Sequence, residues 1–163
     1  MTTAEYNRCV DEFSDRVFRF VLKSIQDEEK AKDIVQDSFE KIWVKVKGIA
    51  FEKSRSYLFT TAYHTMIDYI RKERKIEKIN EPEKYSDFLY EENSYSDLKE
   101  ILDEGLQKLP DMQKSVLLLR DYEGYSYKEI GDLTDLNESQ VKVYIYRARV
   151  FLKNYIGSME TVI

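Results

Sequence analysis

The chain has few of the residues that interrupt or staple a fold. Its 163 residues include five Gly and two Pro, too few for the turns of a β sandwich. Charged residues at 35% and hydrophobic residues at 42% suit helices with solvated outer faces, so an all-α fold is expected. A single cysteine, Cys9, excludes an internal disulfide framework and a Cys-rich zinc site, and fits a reducing cytoplasm. A single histidine, His64, excludes a His-based metal cluster, and neither a metal nor a cofactor is expected. No window approaches the roughly 20 apolar residues that cross a bilayer. The start, MTTAEYNRCVDEF, lacks a basic patch followed by an apolar run, so the chain is expected to be cytoplasmic, without direct membrane insertion. There is no P-loop, no Gly-rich turn after a strand and no nucleophile elbow, and the chain is not read as an enzyme.

What is present is an uneven charge. Between Glu81 and Glu104 nine acidic residues stand against two Lys, a local net of −7, although the whole chain carries −5. The remaining 22 acidic and 24 basic residues leave the flanks weakly basic, which keeps a polyanionic partner open.

Apolar residues recur at helical spacing from Tyr6 through Val10, Phe13, Val17, Phe20 and Leu22. Asp27 is placed to cap a second helix, with Glu28 and Glu29 in its first turn where the helix dipole favours negative charge, and Gly48 is placed to end it. That helix carries a stripe of Ala31, Ile34, Val35, Ser38, Phe39, Ile42, Trp43 and Val46. Asp33, Gln36, Asp37, Glu40 and Lys41 lie largely on the other side. A third helix begins at Ser54 or Ser56 and ends in the basic run RKERK. Residues 81–96 show no period, and they are read as an acidic linker between domains 1–80 and 97–163.

Beyond the linker, Asp97 and Glu100 have capping-box spacing for a helix that would bury Leu98, Ile101, Leu102, Leu106 and Leu109. Pro110 suits the first turn of the next helix, and Gly124 closes it. Ser126 caps a short helix, and Asn137 with Gln140 forms a second box before the last one. In this last helix Val141, Ile145, Ala148 and Leu152 share an inward face, with Phe151 and Tyr155 beside it. The opposite side shows Ser139, Gln140, Lys142, Val143, Tyr146, Arg147, Arg149 and Lys153. A short helix, the turn TDLN and such a helix have the layout of a helix-turn-helix. Gln140 suits an adenine edge, Val143 a thymine methyl, and the basic residues phosphates or guanine. The solvated face of a bundle's closing helix would look the same.

The stretch from Leu109 to Lys153, LPDMQKSVLLLRDYEGYSYKEIGDLTDLNESQVKVYIYRARVFLK, resembles region 4 of bacterial RNA polymerase sigma factors of the extracytoplasmic-function (ECF) group. DEEKAKDIVQDSFEKIW resembles the region 2 helix of that family that docks on the polymerase clamp, and SYLFTTAYHTMIDYIRKERK resembles its segment that melts and reads the −10 element. The resemblance covers Asp11 to Tyr155 and implies an alternative sigma factor. It would have a region 2 bundle of three to four helices and a four-helix region 4 that reads the −35 element. The implied partners are core RNA polymerase, at its clamp and flap, promoter DNA, and an anti-sigma factor of the kind that is often membrane-anchored.

Residue by residue, the resemblance gives polymerase docking to Asp33, Gln36, Asp37, Glu40 and Lys41. It gives −10 DNA to Lys53, Arg55, Tyr57, Tyr63, His64, Arg71, Lys72, Arg74 and Lys75. Phe59 and Tyr69 are read as core, and Tyr63 as facing DNA. His64 stands where the family commonly has Asn, and Tyr63 where it often has Arg, so the −10 base preference departs from the usual. The −35 set is the outward face of the last helix, where Gln140, Val143, Tyr144 and Tyr146 replace the usual Thr, Ser, Arg and His, and Asp135 replaces the common turn Gly. A stand-alone repressor is the rival reading, and it leaves the front half unexplained.

Overall fold

The computed structural model describes residues 1–80 and 98–162, and all regular structure among them is helical. The acidic segment 81–96 and Asp97 lie outside the described residues. Helix α1, Thr3–Ile25, starts with a capping box in which Thr2 accepts from Glu5 N–H and Glu5 accepts from Thr2 N–H. It stops at Gln26, whose φ of 56° puts it in the left-handed region. Asp27 then caps α2, Glu28–Val44, accepting from the Lys30 N–H at 3.2 Å. Two short 3₁₀ turns lead into α3, Ser54–Asn80.

These three helices meet over Val17, Phe20 and Val21 of α1, Ala31, Ile34 and Ile42 of α2, and Leu58, Phe59, Ala62 and Met66 of α3, all buried. Burying one such large side chain is worth about 1.5–3 kcal/mol, far more than any helix propensity supplies. Phe59 and Tyr69 divide within the expected core pair: Phe59 is fully buried, whereas Tyr69 is half-buried beside Lys30.

The second group is α4, Leu98–Gln107; α5, Asp111–Asp121; α6, Tyr127–Thr134; and α7, Glu138–Val162. Leu106, Val116, Leu119, Ile130, Val141, Ile145 and Ala148 form its centre. Gly105 lets α4 approach α7 closely, because a Cβ there would sit 2.9 Å from side-chain atoms of Leu152 and Tyr155. Gly124, at φ 76°, closes the segment after α5 and donates its N–H to Arg120 O.

The two groups pack against each other. Phe59 of α3 lies between Phe20 of α1, at 5.7 Å, and Tyr125 of the second group, at 5.8 Å between ring centroids. Tyr125 is 2% exposed, so the apolar interior runs from one group into the other.

Several sequence-based expectations are corrected here. Helix α2 ends at Val44, and Gly48 instead closes the 3₁₀ turn Val46–Gly48. Trp43, placed on the buried stripe, is 47% exposed and rests edge-on against Tyr6. Leu98 is exposed and Leu102 only half-buried, whereas Ile101 between them is buried. Pro110 stands at the N-cap of α5 rather than in its first turn. Phe151 is exposed and stacks on Tyr155.

Candidate nucleic-acid interface

Helix α6 begins with a capping box between Ser126 and Glu129 and ends at Asp135, with φ 65°. Asp tolerates that left-handed conformation better than most residues, and the Leu136 N–H reaches back to Gly131 O at 3.1 Å. Asn137 and Gln140 then exchange side-chain to backbone hydrogen bonds of 2.8 and 3.0 Å, fixing the entry of α7. Val141, Ile145, Ala148 and Leu152 are buried, so the register of α7 is set. Ser139, Gln140, Lys142, Val143, Tyr146, Arg147, Arg149 and Lys153 are consequently exposed, with Tyr146 the most open aromatic of the face at 69%.

Three members of that face already have partners. The Gln140 Oε1 accepts in the cap, so bidentate pairing with adenine would cost the cap bond. Lys142 is 3.7 Å from Glu138, and Arg149 is taken up by Asp121 of α5, with Nε 3.3 Å from Oδ2. The Arg149 guanidinium therefore ties α7 to α5, whereas Lys142, in a solvent-exposed i, i+4 pair within α7, stays with Val143, Tyr146, Arg147 and Lys153 on the open face.

On the first group, α3 and the turn before it border a groove of about 750 Å³. Lys41, Lys53, Tyr57, Thr60, Thr61 and His64 line it with the carboxylates Glu52 and Asp68 among them, so basic, aromatic and hydroxyl groups outnumber the acids in one concavity. Such a lining suits an unpaired base and its phosphate. Arg71, Lys72 and Lys75 continue outward along α3, all exposed. Beside the groove, Lys41 donates to Thr65 Oγ1 at 2.9 Å and pairs with Asp37 at 3.5 Å. Asp33, Gln36, Asp37, Glu40 and Lys41 form one exposed face of α2, adjoining the groove at Lys41.

The rest of the α3 set faces the second group. Tyr63, expected to face DNA, is 2% exposed and donates its hydroxyl to Met112 Sδ, because α5 lies directly over it. Arg55 donates to Glu123 O and stacks 4.4 Å from the Tyr125 ring. Arg74 pairs with Asp111, and His64 Nε2 is 3.8 Å from Asp135 Oδ2.

Sequence reasoning missed the residues opposite them. Lys114 is 4% exposed, and its ammonium donates to Ser24 O and Gln107 Oε1; burial pushes its pKa down. Its signal was weak, a Lys entering the apolar run SVLLL. Glu123 gave none, being one of many acids.

Burial also raises the Tyr63 pKa to about 12 from 10. A raised folded pKa contributes stability present below pH 10 and lost as pH climbs from 10 to 12. Tyr63→Phe is expected to make the alkaline decline over that window shallower in pH-resolved denaturant melts. The tyrosines at 6, 69, 122 and 125, shifted in the same direction, sustain the remainder.

Among the described residues no helix is long and apolar enough to cross a membrane, and no group of three or more His, Cys, Asp or Glu is arranged to hold a metal.

Against known proteins, residues 9–76 match the family model for Sigma-70 region 2, and residues 99–152 that for Sigma-70, region 4. RNA polymerase sigma factor YlaC of Bacillus subtilis is 30% identical over 149 residues, covering 87% of this chain and 86% of that protein. ECF RNA polymerase sigma factor SigM of the same organism is 26% identical, covering 86% and 88%. Among solved structures, the sigma factor RpoE of Bartonella quintana, crystallised with the anti-sigma factor NepR, is similar with a TM-score of 0.78. It is 20% identical and covers 93% of this chain and 96% of that one, so the likeness is one of fold.

Proposed function

The chain belongs to the sigma-70 family of RNA polymerase sigma factors, in its ECF group, and directs promoter-specific initiation by that polymerase; from this premise we propose how its faces divide the work. Region 2, helices α1–α3, docks on core polymerase through Asp33, Gln36, Asp37, Glu40 and Lys41 and takes the opened −10 element on α3. Region 4, helices α4–α7, lays α7 in the major groove at the −35 element. The chain makes no bond itself; polymerase does the chemistry and supplies most of the nonspecific grip on DNA. That division explains why an acidic protein can read promoters: its open polar face has only to choose the site.

The observation that carries this reading is the two-faced α7, buried at Val141, Ile145, Ala148 and Leu152 and open at Lys142, Val143, Tyr146 and Arg147. Phosphate contacts from Lys142, Arg147 and Lys153 would set register, while Val143 and Tyr146 meet base edges and thymine methyls. In region 2, the groove beneath Lys53, Tyr57 and His64 would hold one unstacked base, with Arg71, Lys72 and Lys75 following the strand. The Bartonella RpoE structure holds an anti-sigma factor, and we propose such a partner for this chain too. The reading places the protein in the cytoplasm, where polymerase is.

Reconstituted run-off transcription tests it. Core bacterial polymerase on upstream fragments of the source genome should initiate at a few defined sites only when the chain is present. No initiation together with no binding to core polymerase would shift the reading to a stand-alone DNA-binding regulator. Within the reading, Asp33→Lys with Asp37→Lys is expected to weaken binding to core polymerase about 10- to 100-fold, since like charges placed in an interface cost several kcal/mol. Both residues are exposed, so helicity should be unchanged; affinity measured by fluorescence anisotropy and equal to wild type would remove the docking assignment.

A further inference from the structure

Each of the three basic side chains that α3 turns toward region 4 meets a carboxylate there. Arg55 Nη2 is 3.6 Å from Glu123 Oε1, Arg74 pairs with Asp111, and His64 faces Asp135 at 3.8 Å. Two further pairs join region 4 to α1: Arg16 with Glu123 at 3.2 Å, and Lys23 with Asp103 at 3.5 Å. Every one of these cross-domain pairs has its basic side chain on region 2 and its carboxylate on region 4. Glu123 is the central member, its side chain only 8% exposed between two Arg. The lid over this face includes Met112, which covers Tyr63, and Tyr125, whose ring lies against Arg55 and meets Phe59 edge-on.

Building on the promoter-reading role above, we infer that region 4 acts as an internal stand-in for promoter DNA. Its Asp111, Glu123 and Asp135 carboxylates occupy the positions on α3 that phosphates would take, so the free protein holds part of its −10 surface shut. The sign of the pairs supports this: in each of these five pairs among the described residues region 4 supplies the carboxylate, and the buried region 4 cation Lys114 crosses to a carbonyl, Ser24 O, rather than to an acid. The groove lined by Lys53 and Tyr57, and the basic residues Arg71, Lys72 and Lys75, stay exposed. DNA would therefore meet an entry platform but not the covered Arg55 and Tyr63. The contacts are also suited to release. Arg74 and the Asp135 side chain are largely solvated, and exposed pairs of that kind are worth little individually. Docking on polymerase, which must set the two regions on separate promoter elements, would break them.

The test uses the full chain and a fluorescein-labelled single-stranded DNA of randomised sequence as probe. Three proteins are compared by fluorescence anisotropy and small-angle X-ray scattering: wild type, the latch variant Asp111→Asn/Glu123→Gln/Asp135→Asn, and a charge-matched control Asp11→Asn/Asp15→Asn/Glu29→Gln. The control matters because removing three negative charges strengthens nonspecific DNA binding wherever they sit. Wild type should show a radius of gyration of about 15 Å, that of one compact body of this length. The latch variant should gain several ångströms and bind the probe about tenfold more tightly than the control, while the control keeps the wild-type radius. Equal radii and equal affinities for latch variant and control would overturn the inference. Should loss of the buried Glu123 carboxylate impair folding, Asp111→Asn/Asp135→Asn alone, at the rim of the contact, should still bind about threefold more tightly than a control lacking only Asp11 and Asp15. Identical affinities would overturn it. Run-off transcription with wild type separates the two levels: initiation without any latch effect sinks the closure and keeps the promoter-reading role. Absence of initiation removes that role and the inference with it.

Discussion

Replacing Lys142, Tyr146 and Arg147 together by Ala is expected to reduce promoter-specific run-off transcription at least 100-fold while leaving the protein as helical as wild type. All three side chains point outward from α7 and none is part of its buried seam of Val141, Ile145, Ala148 and Leu152. Their loss removes no core contact, and exposed helix positions accept Ala readily. A base-edge or phosphate contact in a major groove is worth about 1–3 kcal/mol, so losing three costs about 3–9 kcal/mol of promoter affinity. Part of that is masked because region 2 and polymerase still hold the complex. Arg149 is deliberately left out: Asp121 holds it, so Arg149→Ala would loosen α7 from α5 as well as alter any DNA contact. Circular dichroism and run-off yield together decide the matter. Retained transcription by a fully helical triple variant would remove α7 as the −35 reader.

The largest effect on stability is expected at Phe59. Its ring is fully buried and touches Phe20 of α1 and Tyr125 of region 4, so one side chain serves the region 2 core and the contact between regions. Phe59→Ala should cost about 3–5 kcal/mol, the removed transfer energy plus the cavity left behind. A folded protein has only about 5–15 kcal/mol to lose. For a chain of this length the melting temperature should fall by roughly 10 °C or more. The cost should be larger than for Ile42→Val, a fully buried change confined to region 2, which is expected near 1 kcal/mol. Urea melts of both variants check this; a Phe59→Ala cost under about 1 kcal/mol would show that the cavity collapses and that the ring is no keystone.

Much of the fold was legible because its signals are local. The caps at Asp27, at Ser126, and at Asn137 with Gln140 each act on a residue three positions on and stand as the sequence suggested; that Glu129 completes the box at Ser126 is added by the structure. The period of Val141, Ile145, Ala148 and Leu152 decided which way α7 faces, and the left-handed turn at Asp135 followed from the residue's tolerance of that conformation. The motif order was enough to state the family before any coordinates.

Other features were invisible for an equally physical reason. Trp43 sits at the stripe's edge near the end of α2, and whether an edge residue is covered depends on the neighbouring element. Tyr63 has the right spacing to serve either DNA or core, and only the arrival of Met112, 49 residues later, buries it. Lys114 in an apolar run gives no hint that its ammonium will reach the Ser24 carbonyl 90 residues back.

By itself, then, the sequence determined that seven helical segments form among the described residues, around two apolar seams, and that α7 offers a polar face, because helix periods and caps are set by residues within one or two turns of each other. The tertiary structure alone decided that Glu123, Asp111 and Asp135 meet Arg55, Arg74 and His64 and cover part of the α3 face. Those pairs join residues from different domains, and the identity of a charged residue does not say which distant charge it will find.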